Sequence, residues 1–176
     1  MTDKPVLPDD LFLVNVEESE AQTLSFSRST TVLLTFAANR FTRSAARLYQ
    51  DEFGIGAMDW RMLVMLTREP GCNVARASKT MGIDKAAVSR SLARLEKSGL
   101  ACAESSASDE RRKAWSLTGQ GRALHDRILD VALDRQRQML QGFTPDEVAQ
   151  FNGFLSRFLT NLDDAQDEDA SDQNRR

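Results

Sequence analysis

Asn73-Val74-Ala75-Arg76-Ala77-Ser78-Lys79-Thr80-Met81-Gly82-Ile83-Asp84-Lys85-Ala86-Ala87-Val88-Ser89-Arg90-Ser91-Leu92-Ala93-Arg94-Leu95-Glu96-Lys97-Ser98-Gly99-Leu100 is the stretch that decides the fold. It reads as two short helices joined at Met81, Gly82 and Ile83, because glycine permits the sharp turn and the Asp84 side chain is suited to cap the second helix. Gly99 then supplies the stop. At about 100° per residue, Val88, Leu92 and Leu95 fall on one stripe of the second helix, which must face a core. The opposite stripe holds Ala86, Ser89, Arg90, Ala93, Arg94 and Lys97, with no carboxylate until Glu96 at its margin. Small side chains let such a helix approach a major groove closely; arginine reaches guanine edges there and lysine reaches phosphate. Taken alone, the same stripe equally describes an ordinary solvated helix face.

The following segment favours the nucleic-acid reading. Residues 100–103 read as a short strand, 104–112 as a polar loop and 113–117 as a returning strand, with Asp109, Glu110, Arg111, Arg112 and Lys113 about the tip. A helix-turn-helix followed by a cationic hairpin is a winged helix. A basic finger beside a recognition helix is placed to enter the neighbouring minor groove or grip phosphates.

These segments carry a family resemblance. Asp59-Trp60-Arg61-Met62-Leu63, Gly82-Ile83-Asp84-Lys85-Ala86-Ala87-Val88-Ser89-Arg90, Leu95-Glu96-Lys97-Ser98-Gly99-Leu100, Asp109-Glu110-Arg111 and Leu117-Thr118-Gly119-Gln120-Gly121 stand in one order and spacing. In this the chain resembles the MarR-type transcriptional regulators over residues 26–162. The resemblance implies an obligate homodimer on a palindromic operator, released by a small anionic or phenolic ligand or by cysteine oxidation. It also implies a pocket between the long first helix, the Trp60 helix and the reading unit, with Arg40, Arg47, Tyr49, Trp60, Arg61 and Met62 as lining residues. Two departures stand out. Ala77-Ser78 replaces the usual Leu-Ala of the first reading helix, and Ala101, Cys102 and Ala103 stand where the first wing strand often carries a base.

A chain of 176 residues with 41% hydrophobic content can bury a real core in one compact domain with extensions. Its net charge of −3 is unusual for a DNA binder, but the distribution is uneven. Residues 57–122 hold twelve Lys and Arg against seven Asp and Glu, a balance of +5, so the remainder carries −8. A basic middle between acidic ends fits a local nucleic-acid face and discourages indiscriminate adhesion. Met1-Thr2-Asp3-Lys4-Pro5 lacks the apolar core of a signal peptide, and no apolar run approaches the ~20 residues of a membrane helix, so a cytoplasmic protein is expected.

Residues 1–24 form an N-terminal arm with an apolar patch at Leu11, Phe12, Leu13, Val14 and Val16, expected to be partly ordered. Over residues 25–56, Leu33, Leu34, Phe36, Ala37, Phe41, Ala45, Leu48 and Tyr49 recur at helical spacing, while Arg40, Arg43 and Arg47 share the polar side. The next helix spans residues 58–68, with Trp60, Leu63, Val64 and Leu66 inward and Arg61 and Arg68 outward. Here Trp60 reads either as a core anchor or, with Arg61, as a pocket wall. Residues 119–162 supply a second long helix and then a terminal one. The terminal helix starts at Thr144-Pro145-Asp146-Glu147 and carries Val148, Phe151, Phe154, Leu155, Phe158, Leu159 and Leu162. Its phenylalanine stripe and the long first helix read as the dimer interface. Residues 163–176 read as a disordered acidic tail. The expected fold is therefore mainly α: a winged helix-turn-helix core over residues 57–118, a small β-hairpin wing, and long N- and C-terminal dimerisation helices.

Chemistry for catalysis is missing. His125 is the one histidine, read as a solvated surface residue. No Gly-rich phosphate loop, Cys-x-x-Cys or His-x-x-x-His occurs, so neither an enzyme nor a cofactor is expected. Cys72, Cys102 and His125 are too scattered for a metal site. Cys72 precedes a helix start, where the dipole lowers a thiol pKa. A redox sensor at Cys72 and a small filler residue both remain open, although the resemblance places reactive cysteines on the first long helix, where this chain has none.

The function expected is a sequence-specific, double-stranded-DNA-binding regulator, a repressor, acting with no membrane partner. Base contacts fall to Lys85, Ala86, Ser89 and Arg90; Arg111, oriented by Asp109, reads the minor groove; and Arg94, Lys97, Arg112 and Lys113 hold phosphates. The rival reading is a winged-helix protein-interaction module whose basic face docks on an acidic partner, favoured by the acidic overall charge and the missing base on the first wing strand.

Overall fold

The computed structural model describes residues 6–106 and 109–173; for 105, 106, 109–112 and 166–173 it describes the backbone alone. The chain divides into two units, Met1–Ile128 and Leu129–Arg176.

The first unit begins with one 3-10 turn at Asp9–Leu11 and a two-stranded hairpin, β1 (Leu13–Asn15) and β2 (Gln22–Leu24). The register pairs Leu13 with Leu24 and Asn15 with Gln22. The arm is thus more ordered than its sequence suggests, and Arg28 ties it to the helix that follows by donating to the Leu13 carbonyl. Helix α1 (Thr30–Phe53) starts five residues after residue 25, where the sequence reading begins this region, because residues 26–28 turn before Ser29 takes the cap position. Only Ala45 and Tyr49 of α1 are buried; Leu33 and Phe41 lie exposed on its surface.

The core sits between α2 (Ala57–Arg68) and α4 (Lys85–Lys97), with Met62, Leu63 and Leu66 of the first against Val88, Leu92 and Leu95 of the second. These six side chains are at most 2% exposed, so each contributes on the order of 1.5–3 kcal/mol of apolar burial. Between them, α3 (Val74–Met81) is capped by Asn73, whose side chain accepts from the Arg76 N–H at 2.8 Å. Arg76 also grips Glu69 with two hydrogen bonds of 2.9 and 3.0 Å, binding the start of α3 to the end of α2. Ala77 is buried, and the Ser78 hydroxyl donates to the Ile83 carbonyl at 2.6 Å across the turn at Gly82, whose φ of +62° suits glycine. The Ala-Ser pair therefore closes the α3–α4 turn instead of loosening it.

The wing strands, β3 (Ala101–Ser106) and β4 (Asp109–Leu117), are antiparallel, with Ala101 opposite Leu117 and an irregularity between Glu104 and Ser106. They run further toward the tip than the polar run 104–112 suggests, because the backbone ladder forms whatever the side chains are. The wing's base is anchored by Trp115, which exchanges backbone hydrogen bonds with Gly71 and Cys72. Helix α5 (Gly119–Met139) starts under Thr118, whose hydroxyl donates to the Gly99 carbonyl at 2.6 Å and accepts from the Gly121 N–H at 3.1 Å.

The second unit holds the end of α5 and α6 (Pro145–Gln173). The capping box at Thr144 and Glu147 forms: Glu147 accepts from the Thr144 N–H at 2.8 Å, and the Thr144 hydroxyl accepts from the Glu147 N–H at 3.3 Å. The tail expected to be disordered from residue 163 is instead helical as far as Gln173; residues 174–176 lie outside the described residues. A helix already nucleated at Thr144 extends through acidic residues at small cost per residue, which composition alone does not reveal. Phe143, Phe151, Phe154, Leu159 and Leu162 are exposed.

Candidate nucleic-acid interface

Three signals in the sequence make α4. Asp84 caps it by accepting from the Ala87 N–H at 2.8 Å, the apolar residues recur at i, i+4 and i+7, and Gly99 adopts φ +70° beyond its end. With Val88, Leu92 and Leu95 buried, Lys85, Ala86, Ser89, Arg90, Ala93 and Lys97 are all exposed. Among the described residues, no ion pair or hydrogen bond engages the side chains of Lys85, Arg90 or Lys97, so their charges are available to an anion.

Arg94 behaves differently. It is turned toward α2, where its Nη2 donates to Asp59 Oδ1 at 2.6 Å and its Nε to Oδ2 at 3.3 Å. Asp59 raises the guanidinium pKa first through that hydrogen bond. The expectation that Arg94 is a free phosphate contact is corrected accordingly: on the helical wheel it stands at the flank of the cationic stripe, next to Ser91, and a buried carboxylate claims it. Ser91 itself has no exposed surface and donates to Asp59 Oδ1 at 2.5 Å. Asp59 and Ser91 are the residues that pattern reading passes over. The signal for them is a polar side chain on each apolar stripe, Asp59 three and four positions before Met62 and Leu63, and Ser91 between Val88 and Leu95.

On the wing, Lys113 is exposed and lies with Nζ 5.7 Å from the centre of the Trp115 ring. Asp109, Arg111 and Arg112 belong to β4, and their side chains lie outside the described residues.

Of the six residues assigned to a pocket, Trp60 stacks on His125 at 5.4 Å between ring centres and tilts against Tyr49 at 5.8 Å. Arg61 is half-buried and donates to Thr42 of α1 at 3.2 Å, which corrects its expected outward position. Met62 is wholly buried in the core, and Arg40 and Arg47 are exposed on α1. His125 is 6% exposed and bonded to Asp126 at 2.9 Å, so it is no solvated surface histidine; the Trp60 ring covers it, a pairing 65 residues apart in sequence.

At Cys72 the lowering of the thiol pKa expected at a helix start is what the structure contradicts, which favours the small filler residue over the redox sensor. Its thiol is buried, and desolvation, followed by the charge of Glu69, pushes its pKa up, outweighing any pull from the helix start. Among the described residues, no group of His, Cys, Asp and Glu is gathered to hold a metal, and no helix is long and apolar enough to cross a membrane.

The model of the MarR family matches residues 53–112, from the end of α1 through α4 to the wing tip. A solved MarR/EmrR family transcriptional regulator from Acinetobacter sp. ADP1 is 30% identical, with 80% of this chain and 99% of that one covered at a TM-score of 0.75. The homoprotocatechuate degradative operon repressor of Escherichia coli is 26% identical over 115 residues, which cover 65% of this chain and 77% of the repressor. The fold is shared with the S. aureus MepR–DNA complex at a TM-score of 0.66 and 19% identity, covering 78% and 99% of the two chains. The capped reading helix, the anchored wing and the free cations of α4 agree with these likenesses, and the chain belongs to the MarR family of DNA-binding transcriptional regulators.

Proposed function

We propose that the protein is a homodimeric repressor of palindromic operators, released by a small aromatic or anionic ligand. The observation that carries the reading is the unengaged set of Lys85, Arg90 and Lys97 beside the small side chains of Ala86, Ser89 and Ala93 on one exposed face of α4. Arg90 and Ser89, with Lys85 and Ala86, are assigned to base edges. Lys97, Lys113 and Arg112 are assigned to phosphates, and Arg111, oriented by Asp109, to the minor groove.

Dimerisation is supported by apolar side chains exposed on α1, among them Leu33 and Phe41, and separately by those of α6. Two reading helices then need to lie one helical turn, about 34–36 Å, apart to engage both half-sites, so a ligand need only change that spacing. Trp60 is half-buried with Tyr49 and His125 buried against it, so Trp60 is the aromatic ring of this cluster assigned to meet such a ligand. The E. coli relative is named for the degradation of homoprotocatechuate, an aromatic acid, which supports aromatic acids as the first class to try.

A gel-shift with the DNA upstream of the protein's own gene, at two salt concentrations and against random duplex, tests the reading. A retained preference for the upstream fragment at the higher salt, lost on adding an aromatic acid, is expected. Equal binding of both duplexes would refute operator recognition.

A further inference from the structure

Asp59 lies at the third position of α2, 10% exposed at its side chain, and both oxygens are fully used. Oδ1 accepts from the Ser91 hydroxyl and from Arg94 Nη2, and Oδ2 accepts from Arg94 Nε and, at 3.4 Å, from the Gly56 N–H. One carboxylate therefore joins the first turn of α2 to two residues of α4 three positions apart. The contact is directional where the surrounding Leu and Val contacts are not. Apolar packing tolerates some rotation of a helix about its axis, whereas a two-pronged Arg–carboxylate bond with a third donor does not. Asp59 also removes a cation from the duplex face, since Arg94 remains 54% exposed at its side chain and stands at the edge of the stripe that Arg90 and Lys97 occupy.

We propose that Asp59 is a positioning residue for DNA reading, one that sets the rotation of α4 and withholds Arg94 from the phosphates, so that affinity for any duplex stays low while affinity for the operator stays high. The proposal rests on the DNA-reading function above and deepens it. Arg94 acts here as a strut to α2, and the discrimination between operator and random DNA depends on a carboxylate that touches neither.

The test uses the full chain and a duplex selected by the wild-type protein from a random pool, with an unselected duplex of equal length for comparison. Fluorescence anisotropy is followed over a range of KCl concentrations. Asp59→Asn keeps an acceptor for Ser91 but places an amide N–H2 against Arg94 and Gly56, so the guanidinium is released. Operator affinity is expected to fall about tenfold, while binding to random duplex strengthens and its salt dependence steepens by about one unit per reading helix engaged. Arg94→Gln is expected to lose a similar factor on the operator with random-duplex binding and its slope unchanged, and the double variant to match Arg94→Gln. If Asp59→Asn fails to fold, Arg94→Gln decides alone: equal loss on both duplexes with a shallower slope would make Arg94 a phosphate contact and overturn the proposal. An operator-to-random ratio left unchanged by Asp59→Asn would overturn it as well. Failure of the wild type to select any duplex would strike the DNA-reading function itself, a separate outcome.

Discussion

Gly121, in the first turn of α5, offers a quantitative test of how the reading unit is held. A Cβ built there stands 1.9 Å from the Leu100 carbonyl oxygen, 2.9 Å from its carbon and 3.3 Å from its Cα, and all three atoms are backbone. Contact between such atoms is comfortable at roughly 3.5 Å, so Gly121→Ala requires α5 and the α4–β3 junction to part by about 1.5 Å. The Leu100 carbonyl also accepts from the Thr118 N–H at 3.1 Å, and retreat breaks that bond. Overpacking of this kind costs about 1–3 kcal/mol and the lost hydrogen bond about 1, against about 1 regained from alanine's helix propensity. The net is a destabilisation of about 1–3 kcal/mol. At roughly 2–4 °C per kcal/mol for a chain of this size, the expected fall in Tm is about 2–12 °C, measured at one fixed protein concentration. Gly153→Ala is the control: it lies inside α6 with nothing within 4 Å of the added Cβ, and it is expected to raise Tm slightly. A Gly121→Ala protein melting at or above the wild type would refute the close approach.

Thiol reactivity separates the two cysteines: exposed Cys102 is expected to react rapidly with an aromatic disulfide reagent and buried Cys72 only on unfolding, and Cys72→Ser is expected to leave any peroxide response of DNA binding unchanged. Glu147 has its carboxyl pKa held below the usual 4.5 by the Thr144 N–H and hydroxyl, so its capping contribution is present above about pH 4.5 and is lost as pH falls through the lowered value. Helicity followed by circular dichroism to about pH 3 is expected to show an acid-side loss that is smaller in Glu147→Gln. Trp60→Leu, which removes the ring stacked on His125, is expected to abolish release by aromatic acids while leaving operator affinity in their absence near wild type, as read by gel-shift.

The elements legible in the sequence are those whose signals are local. Asp84 and its helix, Thr144 with Glu147, and the Gly82 turn each state their role within a few residues, and the structure places them accordingly. Residues whose partners are distant in sequence are not legible. Arg94 looks like any surface cation until Asp59, 35 residues earlier, is brought beside it, and His125 looks solvated until Trp60 covers it. The arm hairpin escapes notice because its strands are three residues each, too short for an alternating pattern to emerge. Cys72 misleads for a related reason: the helix start is visible in sequence, whereas the burial that outweighs it is a property of the packed wing base.

Division of labour along α4 is the central claim, and comparing Arg90→Ala with Lys97→Ala on selected operator and on random duplex tests it most directly. Arg90→Ala is expected to cost about 1–3 kcal/mol on the operator and little on random DNA. Lys97→Ala is expected to weaken both alike and reduce the salt slope by about one unit. Equal losses on the two duplexes for Arg90→Ala would contradict base reading by this helix.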